Sequence, residues 1–199
     1  MQTKITVNSE ATQQKLRETA SLVDGPKRAE LMQVLGKGLE TDLRGHFIKK
    51  NRRPNKRGYP KRNFWRDIST ATNLKSATSS QATVAISDPR INPHVFGATI
   101  VPRRSKFLAL PMQPEAYGVM PRSNVFPDMF FLPRKKKGGG FLARKNSDGS
   151  NRLMYFLTKS VKIPKDPDAL PKQSEIDKNA LRRAQRFIDR ATSIDIQNV

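Results

Sequence analysis

The stretch from Ala82 to Gly118 constrains this chain more than any other, because its punctuation admits only one order of short elements. Thr83-Val84-Ala85-Ile86 is a β-branched run, and Ser87-Asp88-Pro89 stops it with a turn signature. Ile91 to Phe96 fits one short helical segment, ended by Gly97, the residue type that accepts positive φ. Thr99 to Val101 is extended ahead of Pro102, and Arg103 and Arg104 sit in a polar turn. Phe107 to Pro111 then reads as a second, more buried strand. The predicted order is strand, helical turn, strand, with a basic tip between.

Around this core the pattern predicts an edge strand at Lys4–Val7 and a helix capped by Ser9. A longer helix follows from Pro26 to about Lys50, where Leu31, Leu35, Leu39, Leu43 and Phe47 recur every four residues and form an oblique apolar stripe. Gly36 and Gly38 interrupt it, a composition suited to close backbone approach by the sheet. Residues 51–62, broken by Pro54, Gly58 and Pro60, read as a long loop that orders against a partner. Phe64-Trp65 re-enters the core, and Asn73–Ala77 pairs with Ala82–Ser87 as a hairpin across Thr78–Gln81. Met120 to Pro127 is extended. Strands at 130–132 and 141–143 flank a flexible basic tip at 133–140, and Leu153–Ile163 reads as one long central strand. After a linker at 166–171, Ser174 and Asp177 form a capping box. Ile176, Leu181, Ala184, Phe187, Ile188 and Ala191 give the final helix an apolar face. The expected class is α+β: a single domain with a curved, mostly antiparallel sheet packed by a long helix, over 1–165, then linker and C-terminal helix over 166–199.

The charge is large and unevenly placed. The chain of 199 residues carries a net +21, and residues 43–165 hold 26 Lys/Arg against 5 Asp/Glu, while both flanks are balanced. One cluster comprises Lys49, Lys50, Arg52, Arg53, Lys56, Arg57, Lys61, Arg62 and Arg66; the other is Arg134, Lys135, Lys136 and Lys137. No acid lies within either cluster, so both read as facing outwards. A polyanion-facing surface explains such an excess; a face serving only solubility would carry the same self-repulsion without return.

Catalytic chemistry is hard to place. His46 and His94 are far apart and there is no cysteine, so no zinc site is assigned. His46 suits the negative end of its helix, and His94 reads as a packing residue. Gly36-Lys37-Gly38 and Gly138-Gly139-Gly140 lack P-loop spacing, and no nucleophile elbow occurs. Five acids make a poor Mg²⁺ pair for nuclease work, with Asp88 and Asp128 the two that stay open. Basic residues interleave with Tyr59, Phe64, Trp65, Phe130 and Phe131 as in single-strand binders, yet the aromatics fall mostly at expected strand positions. Any DNA contact would be to phosphates. The chain has no apolar run long enough to span a bilayer and no secretory signal pattern, which predicts a soluble protein made in a cytoplasm. No catalytic residue, cofactor or metal is assigned.

The order Ser87-Asp88-Pro89, His94-Val95-Phe96-Gly97-Ala98-Thr99-Ile100-Val101-Pro102, Lys106-Phe107-Leu108-Ala109-Leu110-Pro111 and Glu115-Ala116 resembles the virion-morphogenesis (tail-completion, head–tail joining) family of tailed bacteriophages, in its Mu- and P2-like group. Ala98 stands where the second glycine of a pair is usual. Asp128–Phe131 and Phe156–Pro164 look like the family's later hairpin and strand, so the resemblance covers roughly residues 30–165. It implies a structural protein of the neck or head-proximal tail, acting as a ring, commonly a hexamer, around the DNA path. The implied partners are connector or adaptor proteins, tail-tube or tail-terminator proteins, and packaged double-stranded DNA, with no membrane. On that footing Arg134–Lys137 are lumen candidates and the 49–66 cluster a protein interface. Two other readings stay open: a free non-specific nucleic-acid-binding protein, and an assembly factor absent from the finished virion.

Overall fold

A computed structural model describes residues 26–54, 58–60, 62–134 and 138–197, with side chains as far as Ala191. The expected strand at Lys4–Val7 and the Ser9-capped helix lie outside the described residues. The class is α+β, with antiparallel sheets, one long helix and a C-terminal helix. The strands do not form one curved sheet. They divide into three sheets, and the chain divides into two compact units, each gathered from separated segments.

The first unit contains 26–48, 66–88 and 170–197 of the described residues. Its spine is helix α1, Pro26–Arg52, and the four-residue stripe holds: Leu31, Leu43 and Phe47 are buried, Leu35 and Leu39 half-buried. Helix α2, Phe64–Thr70, was not expected; its Ile68 is fully buried. Strands β1 (Thr72–Ala77) and β2 (Ala82–Ile86) form the predicted hairpin, with a register shift between Leu74 and Ser76. Thr78 closes the turn, its N–H donating to Gln81 O at 2.8 Å.

Two devices hold this hairpin to α1, and a third holds it to α2. Arg44 Nε donates to Thr72 O at 2.8 Å, and its other arm reaches Asn73 Oδ1 at 2.8 Å. Buried Glu40 accepts from Lys37 at 2.9 Å and from Leu74 N–H at 3.3 Å. The Lys37 hydrogen bond, outweighing burial, holds its carboxyl below the ordinary value. Buried Thr72 satisfies its hydroxyl by donating to Ile68 O at 2.8 Å. The glycine expectation holds in part. A Cβ on Gly36 would lie 2.6 Å from Leu74 Cδ1 and 2.9 Å from Ala82 Cβ, so Gly36 admits the hairpin. Gly38 instead meets the side chain of Arg183.

Gly36→Leu is therefore expected to cost about 2–3 kcal/mol, although leucine favours helix by about 1 kcal/mol over glycine. Ala82 Cβ is fixed to backbone and cannot yield as a long side chain would. Urea unfolding measures it; an unchanged or raised midpoint would show that the hairpin does not press on Gly36.

The C-terminal helix, here α4, runs from Gln173 to Gln197. Because Gln173 is already helical, Ser174 lies inside the first turn and the predicted capping box does not form; Asp177 accepts from Gln173 Nε2 at 2.7 Å instead. Leu181 is 72% exposed and off the expected apolar face. Five residues after Ile176 it is rotated by about 140°, whereas Ala180 and Arg183 keep the helical period. The face that packs carries Asp42's partners: Arg183 Nη1 and Nη2 donate to its two oxygens at 2.7 Å each, and Asn179 Nδ2 donates at 3.0 Å.

The second unit contains 49–65 and 89–169. Pro89–Ile91 is a 3₁₀ turn leading into helix α3, Asn92–Phe96, ended by Gly97 at φ +75° as the punctuation predicts. Strand β3 (Ala98–Ile100) pairs with β8 (Val161–Ile163). The remaining four strands, β4 (Leu108–Pro111), β5 (Phe130–Pro133), β6 (Gly140–Lys145) and β7 (Asn151–Thr158), form a sheet in the order β4-β7-β6-β5. The single strand expected over Leu153–Ile163 is thus two, broken at Lys159-Ser160, with its halves in different sheets. β7 does hold an interior position. Its Met154 and Tyr155 are buried with Ala116, and the Tyr155 hydroxyl donates to Val119 O at 2.9 Å.

Candidate functional site

The predicted basic clusters part company in the structure. Lys49, Arg52, Arg53, Arg62 and Arg66 belong to exposed residues, while Lys56, Arg57 and Lys61 lie outside the described residues. Lys49, Lys50 and Arg52 occupy the last turn of α1, where cations complement the carbonyl end of the helix.

Lys50 corrects the expectation of an outward interface residue. Its side chain is 9% exposed, and its ammonium donates to Asp166 Oδ2 at 2.7 Å and to Asp168 O at 2.9 Å. It also lies 4.7 Å from the centroid of the Trp65 ring. Arg53 approaches Asp168 at 3.7 Å. The basic segment therefore does have acidic partners within the chain, supplied by the segment expected to be a linker.

His94 completes this cluster. Its ring packs 5.0 Å from Phe64 and 5.3 Å from Trp65, and its carbonyl accepts from Asp166 N–H at 2.8 Å. Burial pushes the imidazole below its ordinary value; Asp166 opposes this and Lys50 adds to it. At Asp166, burial raises the carboxyl, but the Lys50 hydrogen bond and the Asp168 N–H outweigh it and hold it low. His94 is a packing residue, as expected. Phe64 and Trp65 begin a helix, which corrects their expected strand setting, and both are half-buried.

The described part of the 51–62 loop is anchored, contrary to the expectation that it orders only against a partner. The Tyr59 hydroxyl donates to Pro111 O at 3.2 Å and its ring lies 5.1 Å from that of Tyr117. The Arg62 guanidinium sits 5.5 Å from the same Tyr117 ring and against Gly118. At the second cluster only Arg134 is described; it is exposed, with its guanidinium 5.4 Å from the Phe156 ring. Lys135, Lys136 and Lys137 lie outside the described residues.

Among the described residues, no three His, Asp or Glu side chains are grouped to hold a metal ion. Asp128 approaches Arg144 at 3.6 Å. No helix among the described residues is long and apolar enough to cross a membrane.

Sequence reading missed one surface. A groove of about 740 Å³ lies in the second unit, floored by apolar side chains of the four-stranded sheet and edged by Arg104, Lys106 and Arg122. Arg104 was noted only as a turn residue. The signal was Met120–Pro127, a Pro-bearing apolar segment too long to be a simple turn, which lies along the groove.

No family model, curated protein or solved structure matches this chain.

Proposed function

We propose that the chain is a structural subunit of the neck or head-proximal tail of a tailed bacteriophage, completing the tail and joining it to the head as a ring around the DNA path. The particle comes from the sequence resemblance. The observation that carries the assembly role is an edge of the four-stranded sheet that no other strand of the described residues pairs with. Strand β5 ends that sheet and presents Phe131, 51% exposed. An edge strand bearing an exposed aromatic is a surface that a neighbouring subunit covers, by strand pairing and apolar contact. The exposed members of the 49–66 cluster are then protein contacts, without Lys50, and the 134–137 tip faces the lumen.

The basic excess favours a second reading, a free protein that binds nucleic acid through phosphates. Mass spectrometry and electron microscopy of purified particles decide between them. The expected result is a fixed copy number per particle and a closed ring at the neck. Absence from particles, with salt-sensitive duplex binding by the free protein, would establish the second reading. Absence together with a failure to join heads to tails when the gene is removed would mark an assembly factor.

A further inference from the structure

The groove combines two features that seldom coincide on ordinary surface. Its floor is apolar, with Ala109 from β4, Leu142 from β6 and Leu157 from β7, and with Phe126 among the lining side chains. The strand register sets Ala109 opposite Leu157, joining β4 to this floor. Its volume is in the range that takes a small ligand or a few side chains. The charged lining side chains are Arg104, Lys106 and Arg122, with no carboxylate among the lining residues. Among the described residues none of these three is in an ion pair. Met120, 76% exposed, adds apolar surface at the lip.

We propose that this groove docks an acidic, apolar-anchored peptide segment of a partner protein. Its aliphatic or aromatic side chains enter the floor, and its carboxylates meet Arg104, Lys106 and Arg122. Charge complementarity selects this occupant. At a rim of three cations a second copy of this chain, with a net charge of +21, is a poorer match than an acidic segment, whatever contacts copies make elsewhere. A nucleic acid strand would satisfy the cations but needs open ring faces for its bases. The two aromatic rings lining the groove each already have a cation over one face, Lys106 at 5.9 Å from Phe107 and Arg144 at 5.6 Å from Phe126. The inference stands apart from the neck reading, since it concerns the free chain and one segment.

The test is fluorescence anisotropy on the full chain with a labelled synthetic peptide of about ten residues, alternating aspartate with leucine and phenylalanine. One control peptide carries lysine for aspartate; another carries serine for the apolar residues. The acidic peptide is expected to bind with Kd of about 10–100 μM, and both controls at least about tenfold more weakly. The triple variant Arg104→Gln, Lys106→Gln, Arg122→Gln should weaken the acidic peptide at least about tenfold, more at low salt. Met120→Asp, at an exposed position that folding does not require, should do the same, and it carries the test if the triple variant unfolds. Binding unchanged in both variants, equal binding of the lysine peptide, or no binding of the acidic peptide up to about 1 mM would overturn the proposal. So would displacement of the peptide by single-stranded oligothymidylate, or a self-association of the chain that Met120→Asp abolishes.

Discussion

Asp42→Ala and Gly38→Leu are each expected to destabilise the packing of α4 on α1 by about 2–4 kcal/mol, and their effects should not add. The two positions are one helical turn apart and serve the same side chain. Gly38 has no Cβ where the stem of Arg183 crosses α1, and Asp42 holds the guanidinium at its end with two 2.7 Å hydrogen bonds. Both partners are largely covered, at 23% and 22% side-chain exposure. Removing the carboxylate leaves a half-buried cation; adding leucine at 38 forces Arg183 off the carboxylate, a loss that outweighs the gain in helix propensity of about 1 kcal/mol. Once either change has freed Arg183, the other has little left to break. Urea unfolding of the two single variants and the double variant measures this, and strict additivity would refute the shared role of Arg183. The Arg183 hydrogen bond, outweighing burial, holds Asp42 below the ordinary aspartate value of 3.8. Its contribution is complete above that value and is lost as pH falls through the lower folded-state value.

Lys50→Met is expected to cost about 2 kcal/mol at neutral pH, and less in acid. The methionine keeps much of the stem's packing, so the loss is the ammonium's contacts with Asp166, Asp168 O and the Trp65 ring. Asp166 is 33% exposed, so water compensates it in part, which places the cost at the lower end for a covered pair. Without Lys50 nothing offsets burial as strongly, and the Asp166 carboxyl is no longer held as far down. The difference between the two proteins should therefore narrow as pH falls below 3.8, where the carboxylate of the natural protein also begins to be lost. His94 acts at higher pH with the same sign. Burial holds its folded value below 6.5, so both proteins lose some stability as the solution is acidified through and below that value. Unfolding midpoints across the acid range check this. A cost independent of pH would mean that packing, and not the ion pair, is what Lys50 supplies.

The elements that were legible are those whose own residues decide them. The stripe from Leu31 to Phe47 needs only one helix face, and the turn at Gly97 needs only positive φ. What was not legible depends on distant partners. Leu153 to Ile163 contains no proline or glycine, so nothing local marks Lys159-Ser160; the break exists because β4 and β3, elsewhere in the chain, take its two halves. Helix α2 has seven residues, too few to display a period. Lys50 looked like every other cation in its run, since its acid lies 116 residues further along. The groove escaped for the same reason, because its floor is gathered from three strands and its rim from two loops.

The break at Lys159-Ser160 also fixes where the groove's rim comes from. β3 and β4 follow one another and pair in turn with β8 and β7, so the two antiparallel ladders are one ribbon interrupted. Between them lie seven residues on one side, 101–107, and two on the other, 159–160. The five-residue surplus is the segment that carries Arg104 and Lys106. Shortening 101–107 to two residues would let both ladders keep their register and would remove these two cations with the loop. Two of the three rim cations thus stand on surplus chain, separable from the pairing that folds the sheet, while Arg122 comes from the other loop.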